Sequence, residues 1–399
     1  MYQLRVHPSI DEIPSTDWDA LAGDDLPHLC HAFLLAMERH GCVGERYGWL
    51  PRHLGLYDDE ERFVAAAPAY LKFNSYGEFV FDWAWADAYR RAGLAYYPKL
   101  VIASPYTPAT GHRVLTGNAT QRPELASSLV RGSVEVAGQL GASGVHWLFG
   151  SEEEAGWMRD AGLMPRLGCQ FHWTNRGYAD FDALLASFSA EKRKKIKRER
   201  RRVAEAEVRI RRVPGNLASD AEWAVFHRLY ENTFDKRGGI PTLSLPFFRE
   251  IGETMGERTL LVLAEHGGEI VAAAFCLVGA HTLYGRHWGC SKEFHSLHFE
   301  ACYYQGLEHC IEHGLGRFEP GAQGEHKVAR GFLPTRTWSA HWLAEPGFRE
   351  PIGHFLAHEV EAVEEYIGEM DARSPYRRSE PPIPAGAGDP GIVPAGAGG

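Results

Sequence analysis

The sequence predicts an α/β protein built from two tandem domains, each a mixed sheet flanked by helices. Three observations predict it. The 399 residues exceed what one hydrophobic core usually organises. A strand, hairpin, strand unit occurs twice, as RHLGLYDDEERFVAAAPAYLKF and as TLLVLAEHGGEIVAAAFCLV, and Val64-Ala65-Ala66-Ala67 reappears as Val271-Ala272-Ala273-Ala274. Two short helical patterns precede each unit, and a further strand, a helix and more strands follow it.

Along the chain, Trp18 to Ala22 and His31 to His40 carry apolar residues at helical spacing and form the first expected helix pair. Asp58 to Arg62 then interrupt two β-prone stretches as a polar hairpin. In the second half, Phe226, Leu229, Tyr230 and Phe234, then Phe247, Phe248 and Ile251, predict the matching pair, with Lys236, Arg237 and Gly238 closing its first member. Glu265 to Glu269 make the second hairpin turn. LYGRHWG, Leu297 to His313, RFEPGAQG and TRTWSAHWL follow as strand, helix, strand and strand. Between the halves, a basic run from Lys192 to Arg202 lies on a helix expected over 189–205. The expected domains are 1–176 and 177–372, followed by a Pro/Gly/Ala tail, 373–399, too poor in apolar surface to fold.

Composition removes several classes of function. No apolar run approaches the ~20 residues that span a bilayer, and MYQLRVHPSIDE lacks a signal-peptide layout, so a cytoplasmic protein is expected. The seven cysteines are odd in number and show no CxxC spacing, which disfavours a disulfide framework or zinc knuckle. A net charge of -10 argues against a duplex-DNA coat, although the basic run could hold a phosphate-bearing ligand; a solvated helix face is the plain alternative.

Polar residues in apolar surroundings mark the candidate sites. On the helix from Leu297, Tyr303, Tyr304, Leu307, Cys310 and Ile311 share a core face, and Glu300 lies on that face too, as a site residue or half of an ion pair. His309 and His313 sit opposite; two ligands do not make a zinc site, and no metal is expected. The loop FEPGAQGEHKVARGFLPTRTWSAHW gathers Glu319, Gln323, Glu325, Lys327, Arg330 and Arg336 at a strand end, where open α/β sheets carry ligands; mutual surface pairing is the alternative. In the first half, Lys72, Glu78, Asp82, Trp83, Lys99, Tyr106 and Thr107 interrupt β-prone text and are candidate substrate contacts, joined by Arg193, Lys195 and Arg237. SPYTPATG reads as a rigid, open loop or an ordinary turn. Cys290 and Cys302, near His287, read as core thiols before they read as nucleophiles.

The order of segments resembles the Fem-type aminoacyltransferases, which are tandem GNAT-like domains. The resemblance is carried by ASPYTPATG, GASGVHWLF, GLMPRLGCQFHWTNRGYADFDALLASFSAEKRKKIKRERRR and GLGRFEPGAQGEHK. YGEFVFDWAWADAY, FEACYYQGLEHCIEHG and FEPGAQGEHKVARGF are similar to the FemAB-like, or "peptidoglycan biosynthesis", branch. It implies an acyl or aminoacyl transfer to an amine on a peptidoglycan-precursor-like acceptor, with aminoacyl-tRNA as donor. Such chemistry needs a base for the attacking amine and a donor for the oxyanion. Glu319 or Glu325 is the candidate base, and Lys327, Arg330 or His287 the donor. Acyl-CoA is the less favoured donor: the Q/R-x-x-G-x-G/A pyrophosphate turn is missing from GCSKEFHSLHFEACYYQG, and its one literal match, RRAGLA at Arg90, reads as a helix end. An acyl-CoA-dependent N-acetyltransferase and a non-catalytic binding protein of the same fold are the alternatives.

Overall fold

The structure is a computed structural model and describes residues 2–322 and 324–377, apart from the side chain of Arg237. Its strands are β1 (Gln3–His7), β2 (Trp49–Pro51), β3 (His53–Tyr57), β4 (Phe63–Ala67), β5 (Ala69–Lys72), β6 (Lys99–Ile102), β7 (Gly144–Gly150), β8 (Met164–Thr174), β9 (Arg209–Pro214), β10 (Thr259–His266), β11 (Glu269–Val278), β12 (Thr282–Cys290), β13 (Arg317–Glu319) and β14 (Leu333–Leu343). Among the described residues they form a small sheet, β1-β3-β4, and an eleven-stranded sheet in the order β2-β5-β6-β7-β14-β8-β13-β12-β11-β10-β9.

Both hairpins form where the alternation placed them. β10 and β11 are joined by Gly267 and Gly268, both left-handed, as a two-residue hairpin turn demands. The repeated alanines are buried in β4 and β11, where their small side chains let helices pack close to the sheet. Pro68, which cannot donate to a ladder, divides the first copy: β4 stays in the small sheet while β5 joins the large one. The expected helices appear as Ser15–Ala22, His31–Arg39, Asp220–Arg237 and Leu245–Met255. The second members of the two pairs pack on each other across the halves, with Phe33 edge-on to Phe247 at 5.5 Å and Glu250 bonded to Arg39 and His40.

β14 does something that the linear order does not announce. It comes from the end of the second half, yet lies between β7 and β8 of the first, antiparallel to both. It pairs with β8 from Leu333↔His172 to His341↔Met164, and the last residues of β8 pair onward with β13 through Thr174 and Trp173. The β8–β14 ribbon therefore joins both halves into one sheet. A second tie is Asp25, whose carboxylate accepts from His281 N (2.7 Å) and Thr282 Oγ1 (3.3 Å), while its carbonyl accepts from Tyr284.

The basic helix spans Ala190–Glu205. Ser374–Arg377, which the sequence assigned to the unfolded tail, instead run back along the chain: Ser189 N donates to Pro375 O, Arg377 N to Ser187 O, and Tyr376 Oη to Gly331 O. Those bonds satisfy backbone groups that composition cannot foresee. Positions 378–399 lie outside the described residues.

Because the ribbon is shared, the two halves are expected to unfold together. Urea unfolding followed by tryptophan fluorescence should give one transition, matched by hydrogen exchange in β6–β7 and in β10–β11. Thr337→Pro, which removes a ladder donor opposite Gly168, should destabilise both regions equally by about 3 kcal/mol. Loss of protection in one half only would contradict this coupling.

Candidate active site

The second-half sheet opens between β12 and β13. The two strands run parallel through Thr282↔Arg317, Leu283↔Phe318 and Tyr284↔Glu319, then part. A bulge in β12 accompanies the parting, since Phe275 faces His287 while Cys276 faces Gly285, leaving Arg286 as the extra residue. Arg286 turns toward the first half, donating to Tyr106 O and to Thr107 Oγ1. Glu319, at the end of β13, accepts from Thr110 N (3.0 Å) and the Thr110 hydroxyl, with Arg317 Nε at 3.3 Å and His172 Nε2 at 3.8 Å.

SPYTPATG thus closes one side of the opening, and it is not the open loop its prolines implied. Ser104, Tyr106, Thr107 and Ala109 are buried. A buried loop must have its carbonyls satisfied, and here Arg113, fully buried, donates to Ala109 O and Gly111 O while Gln170 donates to Pro108 O. Arg113, Gln170, Arg286 and Thr110 are the residues that sequence reading missed; their role follows from the loop's crossing to the other half.

The electrostatics of this wall are settled by burial and pairing. Burial raises the Glu319 carboxyl, but His172, Arg317 and Thr110 outweigh it and hold it below the ordinary value. Burial drives His172 down to about 4, against the pull of Glu319, and its Nε2 lies 3.0 Å from Gln170 Oε1.

The opposite wall is formed by the helix that follows β12. Leu297–Phe299 continues through a π-helical turn, Glu300–Tyr304, into Gln305–Glu312. Such turns are over-represented at functional sites because they re-aim successive side chains. Tyr303 Oη lies 2.8 Å from His326 Nε2, and the His298 ring packs 5.4 Å from those of Trp288 and Tyr303. Lys327 reaches into this wall from the loop after β13. Its Nζ donates to Gly321 O at 2.6 Å, and no carboxylate among the described residues pairs with it. Burial lowers its pKa to about 7, with only the Cys302 thiol acting in the other direction.

Other predicted residues lie elsewhere or are already engaged. Arg330 is buried against Glu199 (2.9 Å) and Tyr304, with its guanidinium over Phe299. Glu300 takes the ion-pair alternative, holding Arg200 at 2.9 Å and Gln305 at 2.8 Å. These pairs fasten the basic helix to the π-turn. Glu325 is exposed and bonded to Arg373 and Tyr366, away from the opening. Arg336 pairs with Glu364. His287 points into Tyr230, Phe248 and Phe275, and burial holds its pKa well down, so it offers no cation to an oxyanion. Burial also pushes the Cys302 thiol well up, against its use as a nucleophile. Gln323 lies outside the described residues.

In the first half, Lys72, Glu78, Asp82 and Lys99 are buried together and present no charge to a ligand. Lys99 donates to Glu78 (2.7 Å), Asp82 and Ser75; Lys72 donates to Asn74 and Tyr76 O and sits 3.9 Å over the Trp49 ring. Trp83 is exposed beside them. Arg193 and Lys195 lie half-exposed on the basic helix, and Arg237 ends the helix Asp220–Arg237. RRAGLA straddles the C-terminal end of the helix Trp83–Arg91, so its amides do not form a helix N-terminus. A groove of about 600 Å³ lies between Phe181–Ser187, Lys197, Arg200, Glu308 and Glu312; none of its lining residues belongs to the β12–β13 opening.

No curated protein sequence matches the chain. Among solved structures, FemX is similar at 12% identity and a TM-score of 0.54, covering 88% of this chain and 100% of that one. L-PGS from Bacillus licheniformis is similar at 12% identity and 0.53, covering 89% and 97%. The C-terminal domain of a putative lysylphosphatidylglycerol synthetase from Agrobacterium fabrum gives 10%, 0.52, 89% and 96%. At these identities the likeness is one of fold alone. The FemAB_like family, described as peptidoglycan biosynthesis/recognition, matches residues 9–378, and with the shared fold and the motifs above, the chain belongs to that family.

Proposed function

We propose that the protein is an acyltransferase that moves an aminoacyl or acyl group onto an amine at the opening between β12 and β13. The observation that carries this reading is Lys327, a buried amine with no carboxylate partner among the described residues, in the loop that follows the parting strands. An ammonium that is only marginally stable in the empty site gains most when an oxyanion forms beside it, which is stabilisation confined to the transition state. In contrast, Lys99 is saturated by two carboxylates and has nothing to offer a reacting centre.

Two groups are candidates for the proton of the attacking amine. Glu319 is ionised but held by Thr110, so it serves only if the loop of the other half withdraws. His326 reaches solvent, lies 2.8 Å from Tyr303 Oη, and has its pKa lowered by partial desolvation and by the nearby Arg330 and Lys327, so it requires no such movement. The acceptor that fits the family description is a peptidoglycan-precursor-like amine. A phosphate-bearing donor such as aminoacyl-tRNA is favoured by the exposed Lys194, Lys197, Arg198 and Arg201 of the basic helix, and acyl-CoA is disfavoured by SKEFHS, which has no pyrophosphate turn. The burial of Glu319 under Thr110 favours the second reading, a protein that binds such a precursor without turnover.

Purified protein incubated with charged tRNA or acyl-CoA and amine acceptors should give acylated amine, and failure to form product with any of these donors would reject the enzymatic reading. Lys327→Ala should lower the rate by roughly 10²–10³-fold. Whichever of Glu319→Gln and His326→Gln removes the rising acid limb of the pH profile identifies the base.

The sign of the pH dependence follows from Lys327. Activity that needs its ammonium should fall as pH rises through about 7. Lys327→Arg, if active, should shift that limb upward. The same group costs stability: its folded pKa lies below the unfolded value, so the unfolded chain binds the extra proton between the two. The penalty is complete below about 7 and vanishes above the unfolded lysine range. Lys327→Met should therefore raise stability at pH 7 by several kcal/mol, on the order of the shift itself, while lowering the rate as far as Lys327→Ala does. A destabilised Lys327→Met protein would show that the amine is held by favourable contacts instead.

A further inference from the structure

Between residues 73 and 83 the chain turns its aromatic rings outward and its acids, Glu78 and Asp82, inward. Of the ten exposed large apolar side chains among the described residues, six lie in the segment 73–95; the rings of Phe73, Tyr76, Phe79, Phe81 and Trp83 are between 41% and 65% exposed. A water-facing loop has no use for five aromatic rings, and exposed apolar surface gathered in one place marks an interaction site. The rings are held from beneath. Lys72 donates to Tyr76 O, Lys99 bonds Ser75, Glu78 and Asp82, and Arg166 donates to Phe81 O. Gly77 and Phe79 are left-handed, a conformation that Phe79 keeps only because its surroundings dictate it.

Charge selects the partner. The segment contains three carboxylates. Glu78 and Asp82 are buried on Lys99, and Asp87 is shared by Arg90 and Arg91, whose side chains are 80% and 72% exposed. The surface there is therefore aromatic and net cationic, on a chain of net charge -10. Bilayer interfaces accept Trp, Tyr and Phe at headgroup depth and arginine beside anionic phosphate, and they repel carboxylates.

We propose that segment 73–95 is a membrane-docking surface, seating its aromatic rings in a bilayer interface that contains anionic lipid. No helix among the described residues is long and apolar enough to cross a membrane, so this attachment is peripheral. It stands independently of the chemistry assigned to Lys327.

Flotation of the full chain with phosphatidylcholine vesicles, with and without phosphatidylglycerol, tests it. The wild-type protein should float with phosphatidylglycerol vesicles and be released by salt. Phe79→Ser/Phe81→Ser should bind about tenfold more weakly or worse, and Arg90→Glu/Arg91→Glu should lose the preference for anionic lipid. Circular dichroism melts confirm that each variant is folded, and Tyr76→Ser/Trp83→Ser replaces the phenylalanine pair if it is not. Absence of flotation with either vesicle, or equal binding by a folded aromatic variant, overturns the proposal. So does a dimer in sedimentation equilibrium that the aromatic variant dissolves, because the rings would then cover a second copy.

Discussion

The antiparallel pairing of β8 with β14 is the constraint on which the rest of the molecule depends. Each strand has eleven residues, and each serves both halves of the sheet. Because β14 occupies the place between β7 and β8, the first half cannot complete its sheet without the end of the chain. The far end of β8 is what holds β13, and it does so through only two residue pairs. β13 is consequently short, β12 outlasts it, and the opening between them follows from the ribbon's geometry.

Buried charge is compensated in two ways in this molecule. Lys99 is paired with Glu78 and Asp82, Arg330 with Glu199 and Glu300 with Arg200, whereas Lys72 and Arg113, like Lys327, rest on amide or carbonyl oxygens. Removing one partner of an ion pair strands the other charge, at roughly 3–5 kcal/mol, which makes the paired groups structural whatever their chemical appeal. Lys327 is buried at the opening without a carboxylate partner among the described residues. Its cost to the fold is the physical reason to assign it a task, and the nearby π-turn supplies aromatic and imidazole neighbours for a substrate.

Local features of the sequence were legible because local physics fixes them. The paired glycines at 267 and 268, the alternating apolar text of both hairpins and the helical spacing of Phe226, Tyr230 and Phe234 each lead to one structure. The loop after β13 was legible as a concentration of charge at a strand end, but the fates of its members were not. Glu325 and Lys327 are two positions apart; one lies exposed against Arg373 and the other is buried. Within a short 3-10 turn, two positions reverse a side chain's direction, and which side faces the protein depends on what is packed there. The misreading of SPYTPATG has a similar cause. Its prolines fix local backbone angles, whereas its burial depends on Arg113, Gln170 and Arg286, which approach from other elements.

By itself the sequence determined the helices, the hairpins and the family, because these depend on short-range periodicity and on motifs that survive as strings. Only the tertiary structure decided that β14 crosses into the first half, that Thr110 covers Glu319, and that acids at 78 and 82 turn inward while their aromatic neighbours turn out. Each of those outcomes rests on hydrogen-bond or ion partners far away in the chain, and the free energy of a buried charge is set by partners that no local window contains.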